Sequence, residues 1–263
     1  MEHFLNYLNQ NNFIPLVLPF LIIFILAIFL RKPLSYYFSD YFRSTHHSYL
    51  SVLRHAGVRG EYLIFKELQG IKGARLLSSV YLKKRSGEYT EIDVLMLTKN
   101  GIFVIESKNY GGEISGFMTA RNWTQSIGRR KNQFYNPILQ NQAHIKALRY
   151  TLNLGTQHFD ECIHNVICFS DRANLDKIHL DDDRIIITNH KNIVRDLKKP
   201  MRQGKNSFSK EELEAMYERL RKFEHPNRHI VKKQLAHARN RAKIGRREAR
   251  RERLKFWKKR NRA

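Results

Sequence analysis

The chain has 263 residues, room for one ordinary globular domain with appendages and a real core. Its 42% hydrophobic and 11% aromatic content excludes a wholly disordered protein. The formal net charge of +24 points to a polyanionic partner, nucleic acid or an anionic membrane surface, and Arg228 to Ala263 alone hold sixteen Lys and Arg against two Glu.

The first predicted element is "FIPLVLPFLIIFILAIFL", residues 13–30, an uninterrupted run without charge. Eighteen helical residues span roughly 27 Å, close to the hydrocarbon thickness of a bilayer. Arg31 and Lys32 follow at once, whereas Met1 to Asn12 hold no Lys or Arg. The positive-inside bias therefore predicts a single-pass anchor in the cell membrane, N-terminus outside and the remainder cytoplasmic. A cleaved signal peptide is the rival, but the run exceeds the usual length, lacks positive charge before it and has no small-residue cleavage pattern after it.

"RKPLSYYFSDYFRSTHHSYL" then reads as an aromatic, basic juxtamembrane stretch suited to the headgroup level, with His46 and His47 as decoration. From about Gly57 to Leu68, Gly60, Glu61, Ile64, Phe65 and Leu68 recur at helical spacing, which places Glu61 on an apolar stripe. Strand-like runs follow: "ARLLSSVYL", "EIDVLML", "GIFVIESK" and a shorter "GGEISGF". "NPILQNQAHIKALRYTL" predicts a helix with Asn136 as cap and Pro137 in its first turn. His144 lies one turn beyond Gln140, from where it could approach the same site, but reads first as a helix-surface histidine, and Trp123 as a packing residue. "HNVICFS" and "RIIIT" predict two more strands, and "DDD" at 181–183 a solvated turn. "SKEELEAMYERLRKF" opens with a capping-box pattern, Ser209 to Glu212. Cys162 and Cys168 share one extended run where they cannot easily bridge, so they read as small buried hydrophobes, an argument against zinc and disulfides.

The charges of the second and third strands carry the chemistry. "TKNG" joins them, a strong hairpin signal. With Asn100–Gly101 as the loop, Asp93 faces Lys108; with Lys99–Asn100, Asp93 faces Glu106. Either register is expected to put Asp93, Glu106 and Lys108 on one face, with Ile92, Val94, Met96, Phe103 and Ile105 on the other. Apolar cover on both faces marks central strands, where charges must be paired or must bind something. A structural Asp93–Lys108 salt bridge at the strand ends is one account. It leaves Glu106 unexplained, and Glu61 offers a third carboxylate. Convergent carboxylates repel unless a hard dication sits among them, which suits Mg²⁺ or Mn²⁺, and an adjacent Lys can orient a water or stabilise charge on a phosphate.

"GVRGE" opening a helix, "EIDVLML", "NGIFVIESKNYGGEISG", Trp123 and "NPILQNQAHIKAL" together resemble the NERD, or nuclease-related, domain over roughly residues 55 to 170. That family is placed in the PD-(D/E)XK restriction-endonuclease-like superfamily. The resemblance implies a mixed α/β sheet flanked by helices and Mg²⁺-dependent phosphodiester hydrolysis. It implies Asp93 and Glu106 as metal ligands and Lys108 as the lysine of the ExK motif, with Glu61 the helix carboxylate and Gln140 the glutamine of the following helix.

The expected organisation is an anchor at 1–32, a juxtamembrane linker at 33–54, a nuclease-like domain at 55–170, a completing strand and helices at 171–227, and a basic helical or disordered tail at 228–263. The tail is suited to nucleic-acid phosphates, or to anionic lipid with Leu254, Phe256 and Trp257 at the interface. A membrane-anchored nuclease is the leading expectation, with DNA favoured over RNA. A non-catalytic membrane protein binding nucleic acid on a nuclease-like scaffold is the alternative.

Overall fold

A computed structural model describes residues 1, 13–153, 161–204, 207–224, 230, 231 and 236. The basic tail therefore lies outside the described residues, apart from 230, 231 and 236. Helix α1, Phe13–Tyr37, runs through the apolar stretch and on past Arg31 and Lys32. Within it Val17–Tyr37 is long and apolar enough to cross a membrane, and its apolar 18-residue window is not buried against the chain.

The aromatic stretch after α1 folds rather than trailing along a surface. Ser39 caps α2, Asp40–Thr45, by accepting from the Phe42 amide, and Ser48 caps α3, Tyr49–Arg54, by accepting from the Ser51 amide. Tyr36 and Tyr41 are buried, and both rings pack edge-on against Tyr62. The foot of α1 is thereby joined to the domain through an aromatic cluster, and His47 takes part by accepting the Tyr36 hydroxyl at 2.7 Å.

Helix α4, Ala56–Leu68, buries Gly60, Ile64, Phe65 and Leu68, the stripe read from the sequence. Three antiparallel strands follow: β1 (Arg75–Lys83), β2 (Tyr89–Thr98) and β3 (Gly101–Lys108). After β4 (Gly112–Phe117), β5 (Asn122–Ile127) and β6 (Arg130–Tyr135) comes α5, Pro137–Leu152, capped by Asn136 accepting from the Ile138 amide. Then come β7 (Ile163–Phe169), β8 (Ala173–His179), β9 (Ile185–Asn189), α6 (Ile193–Gln203) and α7 (Lys210–Arg221). Helix α7 carries the complete Ser209–Glu212 capping box.

The strands form two mixed sheets. The first has the order β1-β2-β3-β7-β9, with β3, β7 and β9 parallel; the second has the order β6-β5-β4-β8. Helices cover the first sheet on both faces. Leu148 of α5 and Leu213 and Leu220 of α7 join Leu95, Leu97, Ile102 and Val104. Ile64 and Phe65 of α4 and Leu197 of α6 join Val94, Met96, Phe103 and Ile105 on the other side. Burial on both faces is why these strands read as nearly continuous apolar runs.

A third cluster links the sheets. Trp123 lies fully buried and stacked near-parallel on Phe169, with Ile114, Ile138 and Ile185 around it. Both cysteines are free and buried, Cys168 within β7 and Cys162 just before it.

Candidate active site

The β2–β3 register decides what the hairpin charges can do. Thr98 pairs with Gly101 and Val94 with Ile105, so Lys99 and Asn100 form the loop. The Thr98 hydroxyl donates to Gly101 O at 2.9 Å, and the amides of Ser207 and Phe208 donate to Lys99 O at 2.8 and 3.0 Å. These hydrogen bonds pin the turn. One step beyond the paired residues, Asp93 falls opposite Glu106.

The expected single charged face needs a correction at this point. Ile92 packs in the cluster of Leu95 and Leu97, not with Val94 and Met96. The alternation of β2 therefore breaks at Asp93–Val94. Its neighbour β1 breaks at the same level, where Ser79 has a φ of 50° and Leu77 and Val80 share one face. Instead of pointing with Glu106 toward α5, the Asp93 carboxylate turns to the fork between the strands, where Oδ2 accepts the Ser107 amide at 2.8 Å. It occupies the position of a ladder acceptor at the point where pairing with β3 ends, so the acid lies beside Glu106 without stacking on it.

Glu106, 2% exposed, is the hub. Its Oε1 accepts from Lys108 Nζ at 2.5 Å and from Gln140 Nε2 at 2.6 Å, while Gln140 Oε1 accepts Lys108 Nζ at 3.1 Å. Its Oε2 meets His144 Nε2 at 3.1 Å, and His144 Nδ1 lies 2.7 Å from the Thr90 hydroxyl. Helix spacing explains the set: Gln140 and His144 are one turn apart on α5, facing the same side of β3 as Glu106 and Lys108.

Glu61 approaches from α4 on the opposite side. Gly60 makes the approach possible, because a Cβ there would stand 2.8 Å from Ser107 Oγ. The Tyr41 hydroxyl, which donates to Val58 O at 3.3 Å, lies close enough to Glu61 to oppose part of its burial penalty. A fourth carboxylate, Glu91, was not singled out from the sequence; it bonds to Tyr81 and acts electrostatically on both Glu61 and Asp93. Its signal was present, two positions before Asp93 on the same strand face.

Four acids against one ammonium divide sharply. Burial raises Glu61 to about 8, with Glu91 and Glu106 adding repulsion. Asp93 is pushed well above the carboxylate range by burial, then by Glu106 and Glu61. Burial would raise Glu106 too, but Lys108 and His144 outweigh it and hold that group down to about 2. Lys108 is raised: burial opposes its charge, and Glu106 and Asp93 outweigh that penalty.

Residues 56–170 match the family model of the nuclease-related domain, NERD. The chain carries a nuclease-related domain. The matched segment runs from α4 to the end of β7 and contains all five residues singled out from the sequence. An uncharacterised protein of Bacillus anthracis is 39% identical over 98 residues, covering 36% of this chain and 46% of the relative. The chain thus spans just under half the length of the curated relative it matches. No solved structure matches.

Within the nuclease-related domain, Glu106, Lys108 and Gln140 touch directly, Asp93 adjoins them through the Ser107 amide, and Glu61 acts across the fork without touching them. Among the described residues, no group of three or more His, Cys, Asp and Glu is placed to hold one metal ion. His144 is not a surface histidine but a buried partner of the hub. Trp123 is a packing residue, as its sequence context suggested.

Proposed function

We propose that this protein is a membrane-anchored, divalent-metal-dependent nuclease that hydrolyses phosphodiester bonds of nucleic acid, DNA in preference to RNA. The observation that carries the reading is the Glu106 hub, bonded to Lys108, Gln140 and His144 beside a second acid, Asp93. Helix α1 would hold the domain at the cell membrane through residues 13–30, and Arg31 and Lys32 favour the cytoplasmic side for the domain. The basic tail would bind nucleic acid or anionic lipid.

Mg²⁺ or Mn²⁺ suits the donor set in kind, because Asp93, Glu106 and Glu61 offer hard oxygen ligands alone. Burial first, and neighbouring carboxylates after it, raise Asp93 and Glu61, and a dication beside them would offset both effects. Mg²⁺ is commonly held by one or two carboxylates plus water and substrate phosphate, so the absence of a three-ligand cluster among the described residues is compatible with it. Asp93 and Glu106 would hold such an ion, with Glu61 adding its charge from across the fork, and the ion would supply charge stabilisation at the phosphate and a more acidic water.

The chain's own groups take distinct parts. Lys108, raised by its carboxylate neighbours, stays an ammonium at neutral pH, so it donates to the attacking water or a phosphate oxygen and does not act as a base. Gln140 bonds both Glu106 and Lys108 and fixes their separation. His144, held by Thr90, orients the second oxygen of Glu106.

The test is cleavage of supercoiled plasmid and single-stranded DNA by the full chain in detergent. Mg²⁺ or Mn²⁺ should support cleavage and chelation should abolish it. Glu106→Ala and Lys108→Ala should each lower the rate by about 10²-fold or more. Turnover that persists in both variants would remove the site from the mechanism. Salt-sensitive binding without any cleavage would leave the non-catalytic nucleic-acid-binding alternative.

A further inference from the structure

The β5–β6 hairpin has no part in the hub, yet it stands next to it. Residues 119–135 contain Arg121, Arg129, Arg130 and Lys131 and no acid. Trp123 and Phe134 pair across the ribbon, and beyond that rung no side chain is buried. Arg129, Arg130 and Lys131 are exposed at the turn, and among the described residues none of them forms an ion pair. Gln125, Asn132 and Gln133 add side-chain amides behind them.

Topology sets where this end of the ribbon lies. Strand β4 begins at Gly112, four residues after Lys108, and its Glu113 pairs with Ser126, so the turn of β5–β6 sits at the end of β4 nearest the hub. Gly112 allows the close approach: its φ is +80°, and a Cβ there would collide with Ser126 O. Four extended residues cover at most about 14 Å, which brings the turn to within roughly 25 Å of Lys108, less than one turn of a nucleic-acid duplex. Arg172 lies between, packed on Gly111 and donating to Asn109 Oδ1 at 3.3 Å.

We propose that the β5–β6 ribbon is a duplex-binding arm that grips double-stranded DNA beside the site, with Arg129, Arg130 and Lys131 on phosphates. The major groove admits a two-stranded ribbon of this kind. Single-strand binding would call for aromatic stacking platforms at the tip, and this tip offers cations and amides while Trp123 is buried beneath the sheet. Basic residues on an edge strand can simply discourage pairing with another chain. Here β6 is the edge, but the charge gathers at the turn and leaves Asn132 and Gln133 neutral along it. The choice of nucleic acid as ligand rests on the nuclease reading; the gripping surface does not require cleavage.

The experiment is equilibrium binding of the full chain in detergent to a 20-base-pair duplex and to the matching single strand, in chelator so that no cleavage intervenes. Arg129→Ala/Arg130→Ala/Lys131→Ala should weaken duplex binding about tenfold or more and flatten the slope of log affinity against log salt by roughly 2 to 3, about 0.9 for each phosphate no longer neutralised. Lys198→Ala/Lys199→Ala/Arg202→Ala, which removes the same charge from the exposed side of α6, should leave the slope within experimental error. Equal losses in the two variants, an unchanged slope in the first, or a loss confined to the single strand would each overturn the proposal. Should the triple variant fold poorly, photo-crosslinking from a probe at Arg129→Cys decides the matter: crosslinks to duplex support the arm, and their absence refutes it. Because binding is read without turnover, a catalytically silent protein that still grips duplex through the ribbon would defeat the nuclease reading and keep this one.

Discussion

Two hairpins of similar plan do opposite things with charge. In β2–β3, Asp93, Glu106 and Lys108 sit within a sheet covered by helices on both faces, and each group's protonation depends on its neighbours. In β5–β6, Arg129, Arg130 and Lys131 stand in solvent at a turn. Water screens the second set, so its charges act on a visiting polyanion more than on the fold. The first set is desolvated, so removing one member leaves its partners buried without compensation. Buried charge is tied to stability and chemistry together, whereas exposed charge leaves recognition separable from the fold.

The largest effect that would break this contrast is expected at Lys108. Lys108→Ala leaves the Glu106 carboxylate with Gln140 and His144 as its remaining side-chain partners, and should cost about 3–5 kcal/mol of unfolding free energy as well as cleavage. Denaturant unfolding of the full chain checks it. A variant as stable as the native protein would show that the hub is solvated in practice. Trp123→Ala should cost a similar 3–5 kcal/mol through weakened packing on Phe169, and this measures how firmly the second sheet is attached.

The first hairpin was legible in the sequence and the second was not, for one physical reason. A sheet covered on both faces forces continuous apolar runs, so Asp93, Glu106 and Lys108 stood out as anomalies, and α4 and α5 announced themselves through apolar spacing and the Asn136–Pro137 start. Strands β5 and β6 lie at the edge of a sheet with one buried rung, so "NWTQSIGRRKNQFY" gives no apolar alternation, and "ANLDKIH" of β8 is similarly weak. The site itself was partly legible. Glu106 and Lys108 share a face as their spacing suggested, and Gln140, named only through the family resemblance, meets them there, but the break in alternation at Asp93 depends on a left-handed residue, Ser79, in the neighbouring strand. His144 looked exposed because helical spacing fixes which residues share a face, not which strand that face will meet.

His144 provides the next test in order of size. His144→Gln keeps a polar group near Glu106 Oε2 but loses the imidazole bridge to Thr90, and should lower cleavage or metal affinity about 10- to 100-fold. A smaller effect concerns pH. Glu61 has a folded pKa of about 8, above the ordinary 4.5, so the folded state holds its proton through the neutral range. Its contribution is fully present below the ordinary value and is lost as pH rises through about 8. Glu106 runs the other way: its contribution is present above the ordinary value and fades as pH falls toward about 2. Glu61→Gln should therefore gain stability relative to the native chain as pH rises from about 5 to 9 in chelator, and Mg²⁺ should narrow the gap.

The smallest effect bears hardest on the contrast. If the ribbon's charges serve recognition and not folding, Arg129→Ala/Arg130→Ala/Lys131→Ala should change unfolding free energy by less than about 0.5 kcal/mol while duplex binding falls. The expectation follows from exposure: no ion pair is broken among the described residues, no side chain beyond the Trp123–Phe134 rung is buried, and the hairpin hydrogen bonds belong to the backbone. Relief of repulsion among three neighbouring cations can even stabilise the variant slightly at low salt. A loss of several kcal/mol would mean that the turn packs against something in the full chain, and the ribbon would then belong with the hub hairpin as structural charge.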